Sequence, residues 1–119
     1  MKKISLVLTL VLLVAAAFAN KTSVKIAVPD KVQKGQPTTI TIQVTHNGNS
    51  KMHHTNWVTL TINGKEVNRW EYSGSHLPAN EDFTVTYQIT PTEDMEIKAQ
   101  GNCNLHGSTG PDTKSVKVE

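Results

Sequence analysis

The chain has 119 residues, of which 37% are hydrophobic, 18% are charged and 5% are aromatic, and its formal net charge is +2. This length suits one domain of ordinary size. The single cysteine, Cys103, excludes a disulfide within the chain and a four-cysteine zinc or iron–sulfur site.

The first 19 residues have the pattern of a secretory signal peptide. Two lysines precede an apolar run over residues 4–19, and the small residues Ala17 and Ala19 stand where a signal peptidase reads the chain. The run is shorter than the roughly 20 apolar residues of a membrane span. We therefore expect cleavage before Asn20 and a periplasmic or secreted mature domain over residues 20–119.

Cleavage would also remove the positive charge excess. Without Lys2 and Lys3, the chain has ten basic and ten acidic residues, because every acidic residue follows the leader. A neutral chain has no surplus of cations to neutralise a phosphate backbone, so we expect no nucleic-acid partner. We also expect no stable membrane insertion after cleavage.

Apolar and polar residues alternate along most of the mature chain, which is typical of strands with one buried face. In chain order, the alternating rows lie at residues 24–28, 40–44, 58–62, 83–89, 95–99 and 116–118. Turn-forming residues separate the rows, and Asn63-Gly64 predicts a tight hairpin after the third row. The pattern predicts an all-β fold, an immunoglobulin-like antiparallel β-sandwich of about seven strands.

The residues able to bind a metal lie close together in two loops. Cys103 and His106 are three apart in a segment rich in glycine and asparagine, whose backbone can bend around an ion. His46 and His53 flank a second turn-rich loop. Thiolate and imidazole ligands together suit zinc, copper or iron.

Alternation also indicates where two of these donors lie. His46 has the parity of the inward residues in row 40–44, and Cys103 has the parity of those in row 95–99. We therefore expect both just past the ends of core-facing rows, at one tip of the sandwich. The alternatives are a free thiol beside surface histidines and an intermolecular disulfide. A free thiol outside the cytoplasm is prone to oxidation, which favours the metal site.

The other histidines are weaker candidates. Adjacent residues of an extended chain point to opposite sides, so we favour His53 over His54. His76 lies in a separate loop. Kinase, nucleotide-binding and glycosidase functions have no support, because the sequence lacks a glycine-rich phosphate loop and a conspicuous carboxylate pair.

The segment Cys103-Asn104-Leu105-His106-Gly107, with His53-His54 and Trp57 upstream, resembles the desulfoferrodoxin/superoxide reductase family of neelaredoxin type. This resemblance covers most of the mature chain. It implies an immunoglobulin-like β domain with a mononuclear non-haem iron, bound by four histidine nitrogens and one cysteine thiolate. It also implies reduction of superoxide to hydrogen peroxide, with electrons from an external donor protein.

On matching positions, the resemblance implies four metal ligands, His46, His53, Cys103 and His106. It further implies that Lys21 attracts the anionic substrate. Two departures from the family pattern stand out. The loop between the first two ligands is one residue longer than in the family, and Thr22 stands where the family has its first iron-binding histidine.

The missing histidine leaves the ligand set open. Candidates for the gap are His54, His76 and water, and a four-coordinate site would suit zinc or copper better than iron. The leading hypothesis is an exported iron protein of superoxide reductase type. The second is a non-catalytic module that binds copper, zinc or iron, or relays electrons. Thr22, which stands in place of a ligand histidine, favours this second hypothesis.

A third hypothesis needs no metal. The Pro-Asp-Lys-Val stretch at residues 29–32 and Asn-Gly-Lys at residues 63–65 are similar to parts of sulfur-oxidation carrier proteins. The chain would then be an interaction module. A homo-oligomer is compatible with each of the three hypotheses.

Overall fold

The computed structural model describes residues 20–119, so the predicted signal peptide of residues 1–19 lies outside the described residues. The described chain forms strands and no helix. The strands are β1 (Ser23–Ala27), β2 (Lys31–Val32), β3 (Thr38–Thr45), β4 (Thr55–Ile62), β5 (Lys65–Glu71), β6 (Phe83–Ile89), β7 (Met95–Cys103) and β8 (Asp112–Val118). Accordingly, nothing in residues 20–119 qualifies as a membrane-spanning helix.

The strands form two sheets, as the sequence predicts for a β-sandwich. One sheet has the order β1-β3-β6 and the other has the order β2-β8-β7-β4-β5. Every pair is antiparallel except β2 and β8, which are parallel. The prediction of an immunoglobulin-like sandwich is therefore confirmed, with a short parallel pair at one edge.

The hairpin between β4 and β5 turns where the sequence predicts. Asn63 has a φ of 51° and Gly64 has a φ of 81°. Positive φ at both central residues is the geometry of the two-residue turn that matches the twist of antiparallel strands. The turn thereby fixes the register of β5 against β4, with Ile62 opposite Lys65.

The core lies between the two sheets. The three-stranded sheet contributes Ile26, Ile40, Ile42, Val44 and Val85, and the larger sheet contributes Val58, Leu60, Ile62, Met95, Ile97, Ala99 and Val116. Each fully buried valine, leucine or isoleucine contributes about 1.5–3 kcal/mol relative to an exposed one. This packing holds the sheets together without a disulfide, since Cys103 is free.

The two inward rows end at the same tip of the sandwich. β3 ends at Thr45, so the next residue in its inward row is His46, and β7 ends at Cys103. β4 begins opposite Cys103, where a bulge opposes two residues of β4 to one of β7. Because the bulge adds a residue, both Thr55 and Val58 are buried although they are three apart. The loops that enter and leave these strands meet at this tip.

Candidate metal centre

His46 is buried at the end of β3, with 3% of its surface exposed. Its backbone N–H donates to Asp82 Oδ1 at 3.1 Å, and its Nδ1 lies 2.7 Å from the carbonyl oxygen of Gly48. A carbonyl oxygen can only accept, so Nδ1 carries the hydrogen and Nε2 carries the lone pair. That Nε2 is buried and has no hydrogen-bond partner.

His53 is held by a tight turn. The backbone N–H of Ser50 donates to the carbonyl of His53 at 2.8 Å, and the N–H of His53 donates back at 3.2 Å. Its ring packs edge-on against that of His46, with 4.8 Å between the centroids. Its Nε2, like that of His46, is buried without a hydrogen-bond partner.

The surroundings of His53 favour its neutral form. Burial lowers the pKa of His53, and the charges that His46 and His106 would carry lower it further, against a hydrogen bond with the backbone of Asn20 that raises it. A neutral imidazole keeps the lone pair with which it binds a metal.

Gly48 allows the two histidines to approach each other. Its φ is +144°, and a Cβ at this position would lie 2.7 Å from Nδ1 of His53. Only glycine tolerates both this backbone conformation and this close approach. The loop therefore folds back on itself at Gly48 and carries His53 to His46.

Cys103 ends β7 with 1% of its surface exposed. Its N–H donates to the carbonyl of Gly107 at 2.8 Å, and the N–H of Gly107 donates back at 3.0 Å, which closes a tight loop. Within that loop, the N–H of His106 donates to Sγ at 3.5 Å. The His106 side chain is exposed, and its ring lies edge-on to His53, with 5.1 Å between the centroids.

Three of the predicted ligands converge. One ring nitrogen of His46, one of His53 and Sγ of Cys103 all lie within 4.8 Å of one another. His106 lies outside this group of three; its backbone N–H donates to Cys103 Sγ, and its ring packs against His53. Leaving a buried polar atom without a partner costs about 1–3 kcal/mol. The orphaned nitrogens of His46 and His53 therefore fit a metal ion, and so does the mixture of thiolate and imidazole.

Asn104 joins the two loops, and the sequence analysis missed it. Its Oδ1 accepts from the N–H of His54 at 2.9 Å, and its Nδ2 donates to the carbonyl of Met52 at 3.1 Å. Its own N–H donates to the carbonyl of His54 at 3.1 Å. These three bonds hold Met52 and His54, the residues on either side of His53. An asparagine next to Cys103 was the available signal, since asparagine side chains bond to nearby backbone in turns.

Thr22 does not supply a donor to the group of three. It is fully buried, and its hydroxyl is 2.9 Å from the hydroxyl of Thr55. Its N–H donates to the carbonyl of Gly107 at 3.2 Å, so the segment before β1 lies against the cysteine loop. Lys21 precedes it and is half-buried.

His54 and His76 also lie outside the group of three. His54 is buried, and its Nδ1 donates to the carbonyl of Ser50 at 3.0 Å. His76 is exposed and stacks on Tyr72, with 6.2 Å between the ring centroids. The choice of His53 over its neighbour agrees with this arrangement.

Comparisons with known proteins identify a family and several structures that this chain resembles over most of its length. The desulfoferrodoxin family model matches residues 15–108. The superoxide reductase (neelaredoxin) from Ignicoccus hospitalis is 26% identical over 83% of this chain and 83% of that one, with a TM-score of 0.68. A candidate superoxide reductase from Thermotoga maritima is 25% identical over 82% of this chain and 86% of that one, with a TM-score of 0.63.

One further structure shares the fold alone. The sulfur carrier protein SoxY from Chlorobium limicola is 13% identical over 92% of this chain and 96% of that one, with a TM-score of 0.57. A comparison with curated proteins found no significant match. Since the family model spans most of the sequence, the chain belongs to the desulfoferrodoxin family.

Proposed function

We propose that this protein is an exported superoxide reductase with a mononuclear non-haem iron. One superoxide, one electron and two protons give one hydrogen peroxide, and the electron comes from an external donor protein. The ligands are His46, His53, Cys103 and His106.

The convergence of two imidazoles and a thiolate within 4.8 Å carries the proposal. The superoxide reductase from Ignicoccus hospitalis has the same architecture over 83% of this chain, which supports that activity over other metal functions. A bound iron would supply the one-electron redox chemistry.

The residues of the chain have separate tasks. The carbonyl oxygen of Gly48 accepts the hydrogen bond that Nδ1–H of His46 donates, and this fixes the tautomer that offers Nε2. The lowered pKa of His53 keeps it neutral at physiological pH. Cys103 is enclosed, so its sulfur is protected from oxidants in solution. His106 stands on the exposed side, from which a small anion approaches.

Lys21 would favour that approach. It adjoins Thr22, which is hydrogen-bonded to the cysteine loop, so its positive charge lies on the segment next to the site. A cation near the entrance raises the local concentration of a small anion. Export to the periplasm or beyond, which the signal-peptide pattern of residues 1–19 predicts, is part of the proposal.

The alternative functions have less support. Zinc has no redox chemistry and so would not reduce superoxide, and the comparisons give no support for copper. The likeness to the sulfur carrier rests on fold alone at 13% identity. A convergent donor group has no task in a module that binds partners without a metal.

Anaerobic purification of the mature protein and elemental analysis test the metal. We expect about one iron per chain, from a single mixed-donor site, and an intense visible thiolate-to-iron band after oxidation. Cys103→Ser should abolish the band and lower the iron content, whereas His76→Ala, a change of an exposed histidine outside the site, should do neither. Pulse radiolysis that shows superoxide decay no faster than in buffer would refute the reductase activity and leave metal binding intact.

A further inference from the structure

β6 leaves one edge of the smaller sheet open. It lies at the end of the order β1-β3-β6 and pairs with β3 alone. Apart from that pairing, no hydrogen bond reaches residues 83–89 from any other part of residues 20–119. A strand at the edge of a sheet presents a row of unpaired N–H and C=O groups, which can pair with another chain. β6 therefore offers such a row along its outer side.

The other edge strands of the two sheets are protected. In β1, the N–H of Ile26 donates to Asp112 Oδ2 at 2.8 Å. β2 is only two residues long. β5 has seven residues, and four of them are charged: Lys65, Glu66, Arg69 and Glu71. Short length and charged side chains are features by which proteins keep edge strands from pairing. β6 has neither feature, because its seven residues, FTVTYQI, include no charge and no proline.

Aromatic side chains collect on the same side of the molecule. Apart from Trp57, every tryptophan, tyrosine and phenylalanine of residues 20–119 is half-buried on β5, on β6 or between them: Trp70, Tyr72, Phe83 and Tyr87. The rings of Tyr72 and Phe83 meet edge-on, with 5.4 Å between the centroids, so the end of β5 lies beside the start of β6. Aromatic residues are enriched at interfaces between proteins. The open edge and the half-buried aromatic residues thus lie next to each other.

We propose that β6 pairs antiparallel with β6 of a second copy of this chain, which joins the two three-stranded sheets into one sheet of six strands. The inference goes beyond the proposed function and does not depend on the metal site. A strand that pairs antiparallel with itself generates a two-fold axis, the commonest symmetry of protein dimers. An axis at Thr86 pairs all seven residues. Phe83 then lies opposite Ile89 of the second copy, and Val85 lies opposite Tyr87 of the second copy.

Charge and size favour a second copy as the occupant of this edge. Because β6 has no charged residue, pairing with itself places no like charges opposite each other. The half-buried side chains of Phe83, Tyr87 and Ile89 from both copies would meet on the inner face of the joined sheet. Seven residues of a strand span about 24 Å, so the contact belongs to the small interfaces that bury less than about 1,200 Å². We therefore expect a weak dimer, with a dissociation constant on the order of 10 µM.

Sedimentation equilibrium of the mature chain, at concentrations on both sides of about 10 µM, measures the dimer. Thr86→Lys would place two lysines opposite each other at the axis, and Thr86 is exposed, so the change should leave the fold intact. Thr39→Lys is the matched control, because Thr39 is an exposed threonine of the same sheet on β3, one strand inside the edge. Urea unfolding shows whether the three proteins are equally stable.

We expect the parent and Thr39→Lys to dimerise equally, and Thr86→Lys to raise the dissociation constant at least about tenfold, because like charges in an interface repel. A parent that stays monomeric up to about 1 mM would overturn the inference. Dimerisation that Thr86→Lys leaves unchanged, or species that grow beyond a dimer, would also overturn it.

A cysteine variant gives a second test that needs no loss of binding. Opposite Cα atoms of an antiparallel pair are about 4.5–5.5 Å apart, which is within the range that a disulfide bridges. Mild oxidation should therefore link two chains of Thr86→Cys, whereas Thr39→Cys should stay unlinked and the buried Cys103 should not react. Failure of Thr86→Cys to form a linked dimer would overturn the proposed pairing.

Discussion

Replacement of Asn104 by alanine tests how firmly the two ligand-bearing loops are joined. The change removes the bond that His54 N–H donates to Oδ1 at 2.9 Å and the bond that Nδ2 donates to Met52 at 3.1 Å. A hydrogen bond contributes about 0.5–1.5 kcal/mol net, so the two together contribute about 1–3 kcal/mol. Since they enclose His53, we expect the apo-protein to lose this much stability and the metal to bind less tightly.

Urea unfolding of the apo-protein measures the first effect, and Co²⁺ titration measures the second. Asn68→Ala is the matched control, because it removes the same side chain from a position in β5 where that side chain makes no hydrogen bond within the described chain. The control should stay within about 0.5 kcal/mol of the parent. If Asn104→Ala unfolded like Asn68→Ala and kept the parent metal affinity, Asn104 would not be what holds the loops together.

Three further changes probe the same tip. Gly48→Ala should destabilise the fold by about 1–3 kcal/mol and reduce metal binding, because the new Cβ would lie 2.7 Å from His53. Gly35 is the control, because it has a φ of +80° but open space around it. Gly35→Ala should lower stability in the same urea series and leave metal binding unchanged. Because the pKa of His53 is lowered from 6.5, the unfolded state takes up a proton at higher pH than the folded state. Urea unfolding at about pH 7.5 and about pH 5.5 should therefore show apo-protein stability falling below about pH 6.5, and less so in His53→Asn. Thr22→Val should cost about 1–3 kcal/mol by leaving the buried Thr55 hydroxyl unpaired, and adding Thr55→Val should recover most of that loss in the same assay.

The regular part of this fold is predictable from the sequence. Alternation places the inward rows of β3 and β7 correctly, because each row buries one face against the opposite sheet. Extending the same parity predicts that His46 and Cys103 are buried, and both are. The hairpin at Asn63-Gly64 is predictable for a different reason, since few residue pairs tolerate positive φ twice in succession.

The irregular parts follow from contacts that no local pattern records. β5 does not alternate cleanly, and its pairing with β4 shifts between Leu60 and Thr61, so only the hairpin turn, and no alternating row, indicated this strand. The bulge that opposes Thr55 to Cys103 breaks the parity of β4 at the site. The hydrogen bond between the hydroxyls of Thr22 and Thr55 joins segments 33 residues apart, and only the folded chain brings them together.

The division between strands and loops predicts that the site tolerates a change in the length of the loop between His46 and His53. The strands hold His46 and Cys103, whose positions follow from packing of the core. The turn between Ser50 and His53 and the fold-back at Gly48 set the position of His53, so the seven-residue separation from His46 is less important than these two contacts. An added residue between Gly48 and Ser50 should therefore be tolerated better than any side chain at Gly48. The positions of the donor atoms depend on the contacts that the loop makes. The strands that carry the loops are instead set by the alternation of apolar and polar residues.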